Sequence, residues 1–154
     1  LFLNLDKSAD VPITDIRMTR IMISLEDGIG LVNHAFSDME GAEIYVKKIP
    51  SMKVVDIAKV CKPHAKHNVV GIRPGEKVHE QMIGEDDAEY TYEYENYYKI
   101  LPAINDWYKT KSRIKNGKKV PSGFSYTSEN NNEWLSQKEL ENWISVNKHK
   151  LDEI

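Results

Sequence analysis

A lone cysteine, Cys61, leaves this chain without an internal disulfide, a usage that fits a reducing compartment rather than a stapled secreted scaffold. It falls on the apolar side of a predicted helix, so a buried structural thiol is expected rather than a nucleophile. No apolar run is long enough to cross a bilayer and no signal-peptide pattern is visible, which predicts a cytoplasmic protein with no membrane partner. Positive charge is not in excess either. The formal net charge is −3, without the basic face that marks a nucleic-acid partner. Lys109, Lys111, Arg113, Lys115, Lys118 and Lys119 gather in one stretch, read here as a solvated loop.

Catalytic signatures are missing as well. No glycine-rich turn follows a strand and opens a helix, because Gly28 and Gly30 lie inside a helical pattern, so no dinucleotide fingerprint is expected. No tyrosine is followed four residues later by lysine, a common proton-transfer pair. His34, His64, His67, His79 and His149 lack metal-ligand spacing with cysteine or carboxylate. No serine sits in a nucleophile elbow. The chain is therefore expected to supply no catalytic, cofactor-binding or metal-ligating residue.

What is present suits one soluble α/β domain. The 154 residues are enough for a sizeable core, and charged residues at 29% are ordinary for a globular protein. Ile13 to Asp15 and Ile21 to Ile23 read as short strands. Ser24 then caps a helix with Glu26 and Asp27 in its first turn. Leu25, Ile29, Val32, Phe36 and Met39 follow at helical spacing and predict one buried face, with a stop at Gly41. Glu43 to Val46 is a strand. Ser51 reads as the cap of a second helix, with Val54, Ile57, Ala58 and Cys61 on its apolar face, ended before Pro63. Asn68 to Ile72 is a strand, and Glu80 to Ile83 a short helix or turn. Alternating aromatics from Tyr90 to Tyr98 predict an extended, partly exposed segment. Residues 105–123 predict a long loop or ordered arm. Ser136 and Glu139 form a capping box, with Leu135 and Leu140 as its staple, opening a helix packed through Leu140, Trp143, Ile144 and Leu151. Strands alternating with helices indicate α/β. The chain opens on Leu1, not methionine, and is read as a fragment or an excised domain.

The most informative stretch runs from Val69 to Glu80. A strand delivers Arg73 to its end, a Pro74-Gly75 turn follows, and Glu76 stands three residues after the arginine. A forked guanidinium pairs well with phosphate oxygens, and a carboxylate accepts from ribose hydroxyls. Arg20, also beside a strand, can converge on the same diphosphate. For either arginine alone a surface ion pair is the commoner explanation. Glu76 alone fits a first-turn helix carboxylate, and His79 and Glu80 fit polar groups closing the turn.

These residues carry a family resemblance. Ile13 to Arg20, Lys48 to Lys53 and Gly71 to Lys77 resemble, in that order, stretches of inverting UDP-N-acetylglucosamine 4,6-dehydratases. Tyr126-Thr127-Ser128 and Asn130 to Leu135 resemble the tail of the flagellin-modification branch, which begins pseudaminic acid synthesis. At Ile21-Met22-Ile23 the chain is apolar but departs from the phenylalanine and tryptophan that more often follow the arginine. The resemblance implies the C-terminal half of such an enzyme: the α/β substrate-binding lobe of an extended short-chain dehydrogenase whose Rossmann half is absent. Residues 1–101 would form the nucleotide-sugar-binding lobe, and 102–154 a C-terminal arm and capping helix of that lobe. By resemblance, Arg20 and Arg73 contact the UDP diphosphate, Glu76 contacts the ribose, and Met18 and Thr19 line the cleft. NADP and the catalytic lysine, aspartate and tyrosine would lie on the absent half, and the whole enzyme would be a homo-oligomer acting on a UDP-sugar. The implied reaction oxidises C4, eliminates water across C5 and C6, and returns the hydride to C6 with inversion at C5. The fragment alone is expected to be inactive.

Two alternatives stay open. A UDP-N-acetylglucosamine 4-epimerase of the same superfamily shares much of the arginine–glutamate motif, although the Asn130 to Leu135 tail favours the dehydratase. A non-catalytic nucleotide-sugar-binding or oligomerisation module would equally lack the catalytic motifs.

Overall fold

Val11 and Ile13, alternate residues of the short strand β1 (Val11–Ile13), are both almost completely buried. The computed structural model describes residues 2 and 10–151, with side chains as far as residue 147; Leu1 and the side chains of His149 and Leu151 lie outside that range. The fold is mixed α/β, and the chain forms two compact units interleaved in sequence.

The first unit comprises Leu1–Ile21, Pro50–Glu80 and Asn131–Ile154. β2 (Thr19–Ile21) pairs antiparallel with β4 (Ser51–Lys53), setting Arg20 opposite Met52. β1 runs parallel to β5 (His67–Val69). Parallel strands need a crossover, and this one contains helix α2 (Val54–Cys61), whose Ala58 is buried against Val11 and Ile13. Helix α4 (Gln137–Leu151) packs near α2 and buries Leu140. Its capping box forms as the sequence predicts. The Ser136 hydroxyl accepts from the Glu139 N–H at 3.3 Å, while the Ser136 N–H donates to Glu139 Oε2 at 2.8 Å.

The second unit comprises Met22–Ile49 and Gln81–Asn130. Helix α1 (Leu25–Asp38) is capped by Ser24, whose Oγ accepts from the Asp27 N–H at 3.1 Å. A four-stranded sheet has the order β3 (Ile44–Lys47), β8 (Tyr97–Ile100), β7 (Thr91–Glu93), β9 (Lys118–Lys119). A separate pair joins β6 (Gln81–Ile83) to β10 (Tyr126–Thr127). Val46, Ile83, Ala88, Tyr98, Val120 and Tyr126 form the core. The short helix α3 (Lys111–Ile114) completes the arm before β9.

Several sequence expectations give way to tertiary structure. The apolar stripe of α1 is not buried: Leu25, Ile29, Val32, Phe36 and Met39 are all exposed, Phe36 at 75%. The contacts of the helix are made by its polar edge, with His34 beside Tyr45 and Tyr97 and Asp38 bonded to Lys99. Periodicity identifies a stripe but not what meets it. Ser51 is not a helix cap; it is wholly buried in β4, and its carbonyl accepts from the Leu135 N–H at 2.9 Å. Gln81 to Ile83 is a strand rather than a helical turn, because β10 supplies its partner from far along the chain. The tyrosine segment is extended, but Tyr92, Tyr94 and Tyr98 are buried. Arg113 leaves the solvated loop expected of it and pairs with buried Glu43 at 2.5 Å. Both opening strands begin two residues early, since the Asp15 carboxylate accepts from the Arg17 N–H and closes a turn where strand was expected.

Candidate functional site

The segment from Gly71 to Glu80 is held at both ends by the segment from Ile13 to Arg20, all within the first unit. At its entry, the Val70 N–H donates to the Ile13 carbonyl at 2.9 Å, extending the β1–β5 pairing. At its exit, the Thr19 N–H donates to the Val78 carbonyl at 3.1 Å. Between these anchors the chain makes a tight turn. The Glu76 N–H donates to the Arg73 carbonyl at 3.0 Å, and the Arg73 N–H donates back to Glu76 Oε2 at 3.2 Å. Gly71 and Gly75 adopt φ values of +87° and +81°, a left-handed backbone that glycine takes without the Cβ penalty. Glu76 is thus a turn residue, not a first-turn helix carboxylate.

The two arginines sit differently in this frame. Arg73 is exposed on the turn, and among the described residues its guanidinium has no hydrogen-bond or ion-pair partner. Arg20 is half-buried and engaged. Its Nη1 donates to the carbonyls of Thr19 at 2.7 Å and Val78 at 3.1 Å, its Nη2 donates to the Lys77 carbonyl at 3.1 Å, and its Nε lies 3.3 Å from Glu80 Oε1. The structure therefore brings Arg20 to the exit of the turn that carries Arg73 and Glu76.

Thr19 opens the same strand, Met18 precedes it, and both are buried at 3% exposure. Thr19 Oγ1 lies 2.7 Å from His79 Nδ1. The Met18 carbonyl accepts from the Val54 N–H at 3.0 Å, tying the strand to the start of α2. Thr14 joins from the end of β1, its hydroxyl donating to Glu76 Oε1 at a long 3.5 Å. Nearby, hydrogen bonds from the Arg17 side chain and backbone hold the Asp15 carboxyl down at about 2. Sequence reading assigned Thr14 no role and His79 and Glu80 only a place in the turn. No local pattern marks them, because their partners are tens of residues away.

The arrangement offers a cationic fork that is free among the described residues, a carboxylate fixed by backbone and hydroxyl donors, and glycines that let a ligand approach the main chain. That set suits an anionic, hydroxylated ligand. Among the described residues no group of three or more histidine, cysteine, aspartate or glutamate side chains is placed to hold a metal ion, and no helix is long and apolar enough to cross a membrane. A separate cavity of about 320 Å³ lies in the second unit, walled by His34, Lys47, Tyr94, Asn96, Tyr97 and Asn116. None of the expected site residues lines it.

A family model described as polysaccharide biosynthesis protein matches residues 2–102. The chain is 50% identical over 137 residues to a UDP-N-acetylglucosamine 4,6-dehydratase (inverting) of Campylobacter jejuni, covering 85% of this chain and 41% of that protein. It is 30% identical over 135 residues to a UDP-glucose 4-epimerase of Rickettsia bellii, covering 84% of this chain and 40% of that one. The chain thus spans about two-fifths of the length of the curated relatives it matches. The crystal structure of Pen from Bacillus thuringiensis shares the fold, with a TM-score of 0.75 at 23% identity, over 96% of this chain and 43% of that chain.

Proposed function

Because the chain belongs to the polysaccharide biosynthesis protein family, we propose that it is the sugar-nucleotide-binding part of an inverting UDP-N-acetylglucosamine 4,6-dehydratase. The observation that carries this reading is the pinned Arg73–Glu76 turn. It leaves a guanidinium unpartnered among the described residues at the tip of a segment anchored at both ends, three residues from a carboxylate that its own backbone orients. A preorganised charge of this kind recognises a diphosphate at low entropic cost, and the carboxylate beside it accepts from a ribose. Met18, Thr19 and Arg20 complete the site. The dehydratase is preferred to the epimerase because the relative bearing that name is more similar, 50% over 137 residues against 30% over 135.

The substrate-binding lobe spans residues 1–101, and 102–154 form its arm and closing helix. The full protein is a homo-oligomer in the cytoplasm whose product leads toward pseudaminic acid or another surface glycan. NADP would supply hydride transfer at C4 and C6 of the sugar. The residues of this chain do not fit that cofactor, since Gly28 and Gly30 lie inside α1 with open space around them rather than at a strand-to-helix turn. The cofactor is assigned to a part of the protein outside this chain. What this chain contributes is placement: holding the UDP end so that the sugar is presented in one orientation.

Incubating the full gene product with UDP-N-acetylglucosamine tests the reading. A 4-keto-6-deoxy product with inverted C5 is expected, whereas a C4 epimer that keeps its 6-hydroxyl would establish the epimerase instead. Arg73→Ala should weaken UDP-sugar binding by about 1.5–3 kcal/mol, the size of a charge-assisted hydrogen bond. Unchanged KM and kcat would remove Arg73 from the site.

A further inference from the structure

We propose that the cleft of about 320 Å³ in the second unit binds a neutral saccharide ring, held between α1 and the tyrosines of the β7–β8 turn. Its volume falls at the small end of ligand pockets, which run from about 300 to 1,000 Å³.

Three segments far apart in sequence build it. α1 supplies Gly30 and His34, the β7–β8 turn supplies Tyr94, Asn96 and Tyr97, and the stretch after α3 supplies Asn116. The turn is fixed by its backbone. The Tyr94 N–H donates to the Tyr97 carbonyl at 2.9 Å, and the Asn96 carbonyl accepts from the Lys48 N–H at 3.1 Å. The Tyr94 hydroxyl donates to the Ile114 carbonyl at 2.7 Å, tying the turn to the segment that carries Asn116. Walls set before a ligand arrives lose little entropy on binding. By helical spacing, Gly30 and His34 lie on the side of α1 turned away from Leu25, Ile29, Val32 and Phe36. A partner laid along that apolar stripe therefore leaves the cleft open.

The lining selects the ligand. Tyr94 and Tyr97 stack with centroids 4.6 Å apart and planes 6° from parallel, and the His34 ring lies 4.7 Å from Tyr97. Aromatic rings present electron-rich faces to the C–H groups of a pyranose. Beside them, the side chains of Asn96 and Asn116 have no hydrogen-bond partner among the described residues. Each amide carries two donors and an acceptor, the combination a sugar hydroxyl uses. Charge disfavours other ligands. Lys47 is engaged by Asp27 at 3.2 Å, and exposed Glu95, with no ion-pair partner among the described residues, repels an anion. The Lys47 ammonium repels a cation.

Gly30 gives separate support. Glycine inside a helix lowers its stability relative to alanine, and packing does not require it here, since a Cβ would meet no atom within 4 Å. A longer side chain at position 30 would enter the cleft. Gly28 is equally unhindered but does not line it, so the two positions form a matched pair.

Saturation-transfer NMR on the full gene product, with N-acetylglucosamine, glucosamine and glucuronate as probes, tests the proposal. N-acetylglucosamine should bind with a dissociation constant on the order of 1 mM, and the two charged sugars about tenfold more weakly. Gly30→Gln should abolish binding while raising the melting temperature, whereas Gly28→Gln should raise the melting temperature and leave binding intact. Asn96→Ala and Asn116→Ala should each weaken binding by about three- to tenfold, the scale of one hydrogen bond. Repeating the titration with saturating UDP-N-acetylglucosamine separates two sources of the ring. Binding that is sensitive to Gly30→Gln and unaffected by the nucleotide assigns the cleft to a free saccharide, and competed binding assigns it to the sugar of the nucleotide. No transfer to N-acetylglucosamine, equal affinity for all three sugars, or binding that survives Gly30→Gln refutes the proposal. Should Gly30→Gln not fold, the asparagine variants decide: unchanged affinity in both refutes it. None of these outcomes bears on the Arg73–Glu76 turn, whose residues do not line the cleft.

Discussion

Lys99 Nζ lies 2.7 Å from Asp38 Oδ2, with the lysine side chain 1% exposed and the aspartate 12%. The same ammonium sits 5.0 Å from the Tyr94 ring and 5.5 Å from the Tyr45 ring, while Tyr45 donates its hydroxyl to Asp38 at 2.6 Å and Lys115 donates to the other carboxylate oxygen. This cluster ties the last residue of α1 to β8, an inner strand of the four-stranded sheet. Removing one partner of such a buried pair strands the other charge, so Lys99→Ala is expected to cost on the order of 3–5 kcal/mol. Lys99→Met keeps the contact with the rings and should cost less than the alanine variant. Urea midpoints at neutral pH measure both.

The same cluster sets an acid limit. Burial pushes the Asp38 carboxyl up, but hydrogen bonds from Lys115, Lys99 and Tyr45 outweigh it and hold the group well below its ordinary 3.8. A carboxyl with a depressed folded value stabilises the fold above its unfolded value and loses that contribution as pH falls toward the folded one. Stability should therefore drop as pH falls below about 4, and Asp38→Asn should lose this component of the acid dependence while being less stable at pH 7. Thermal melts from pH 7 to pH 2 test it; an Asp38→Asn profile parallel to wild type would contradict it.

Asp15 gives a local readout of the turn before β2. Hydrogen bonds from Arg17 hold it at about 2 against an ordinary 3.8. Arg17→Gln should let the carboxyl rise toward the ordinary value, as followed by NMR titration of the Asp15 side chain.

Gly117 leaves no room for a side chain. A Cβ there would lie 2.5 Å from the Tyr94 ring and hydroxyl, and that hydroxyl donates to the Ile114 carbonyl at 2.7 Å. Gly117→Ala should destabilise by about 1–3 kcal/mol through overpacking, and Gly117→Ala with Tyr94→Leu should recover part of the loss. Equal stability of Gly117→Ala and wild type in denaturant would rule out the close approach.

Thr14 reaches Glu76 across the turn at 3.5 Å. If Glu76 holds the ribose, Thr14→Val should weaken uridine binding modestly, by about three- to fivefold for one long hydrogen bond, with thermal stability little changed. An intact uridine affinity would show that the hydroxyl does not orient the carboxylate.

Features encoded by neighbours along the chain were legible. Ser24 and the Ser136–Glu139 box cap their helices because a cap is satisfied within three residues. The Arg73–Glu76 turn is equally local, and its glycines announce it. Features that depend on distant partners were not. Ser51 has the composition of a cap, yet β2 and the Leu135 amide claim it. Arg113 stands in a basic run that looks solvated, until Glu43 and the Gly41 carbonyl take its guanidinium. Tyr90 to Tyr98 alternate as a partly exposed extended segment would, but Tyr92 and Tyr94 pack with Leu101 and Tyr98 packs with Val46.

For the site, residue types and their spacing named Arg20, Arg73 and Glu76 as candidates, because a guanidinium and a carboxylate suit a nucleotide diphosphate whatever the fold around them. Only tertiary structure separated the two arginines, by giving Arg20 carbonyl acceptors at residues 77 and 78 and leaving Arg73 without a partner among the described residues. The cause is general: chemistry belongs to the side chain and can be read from a letter, whereas hydrogen-bond saturation depends on which distant backbone groups the fold brings within three ångströms.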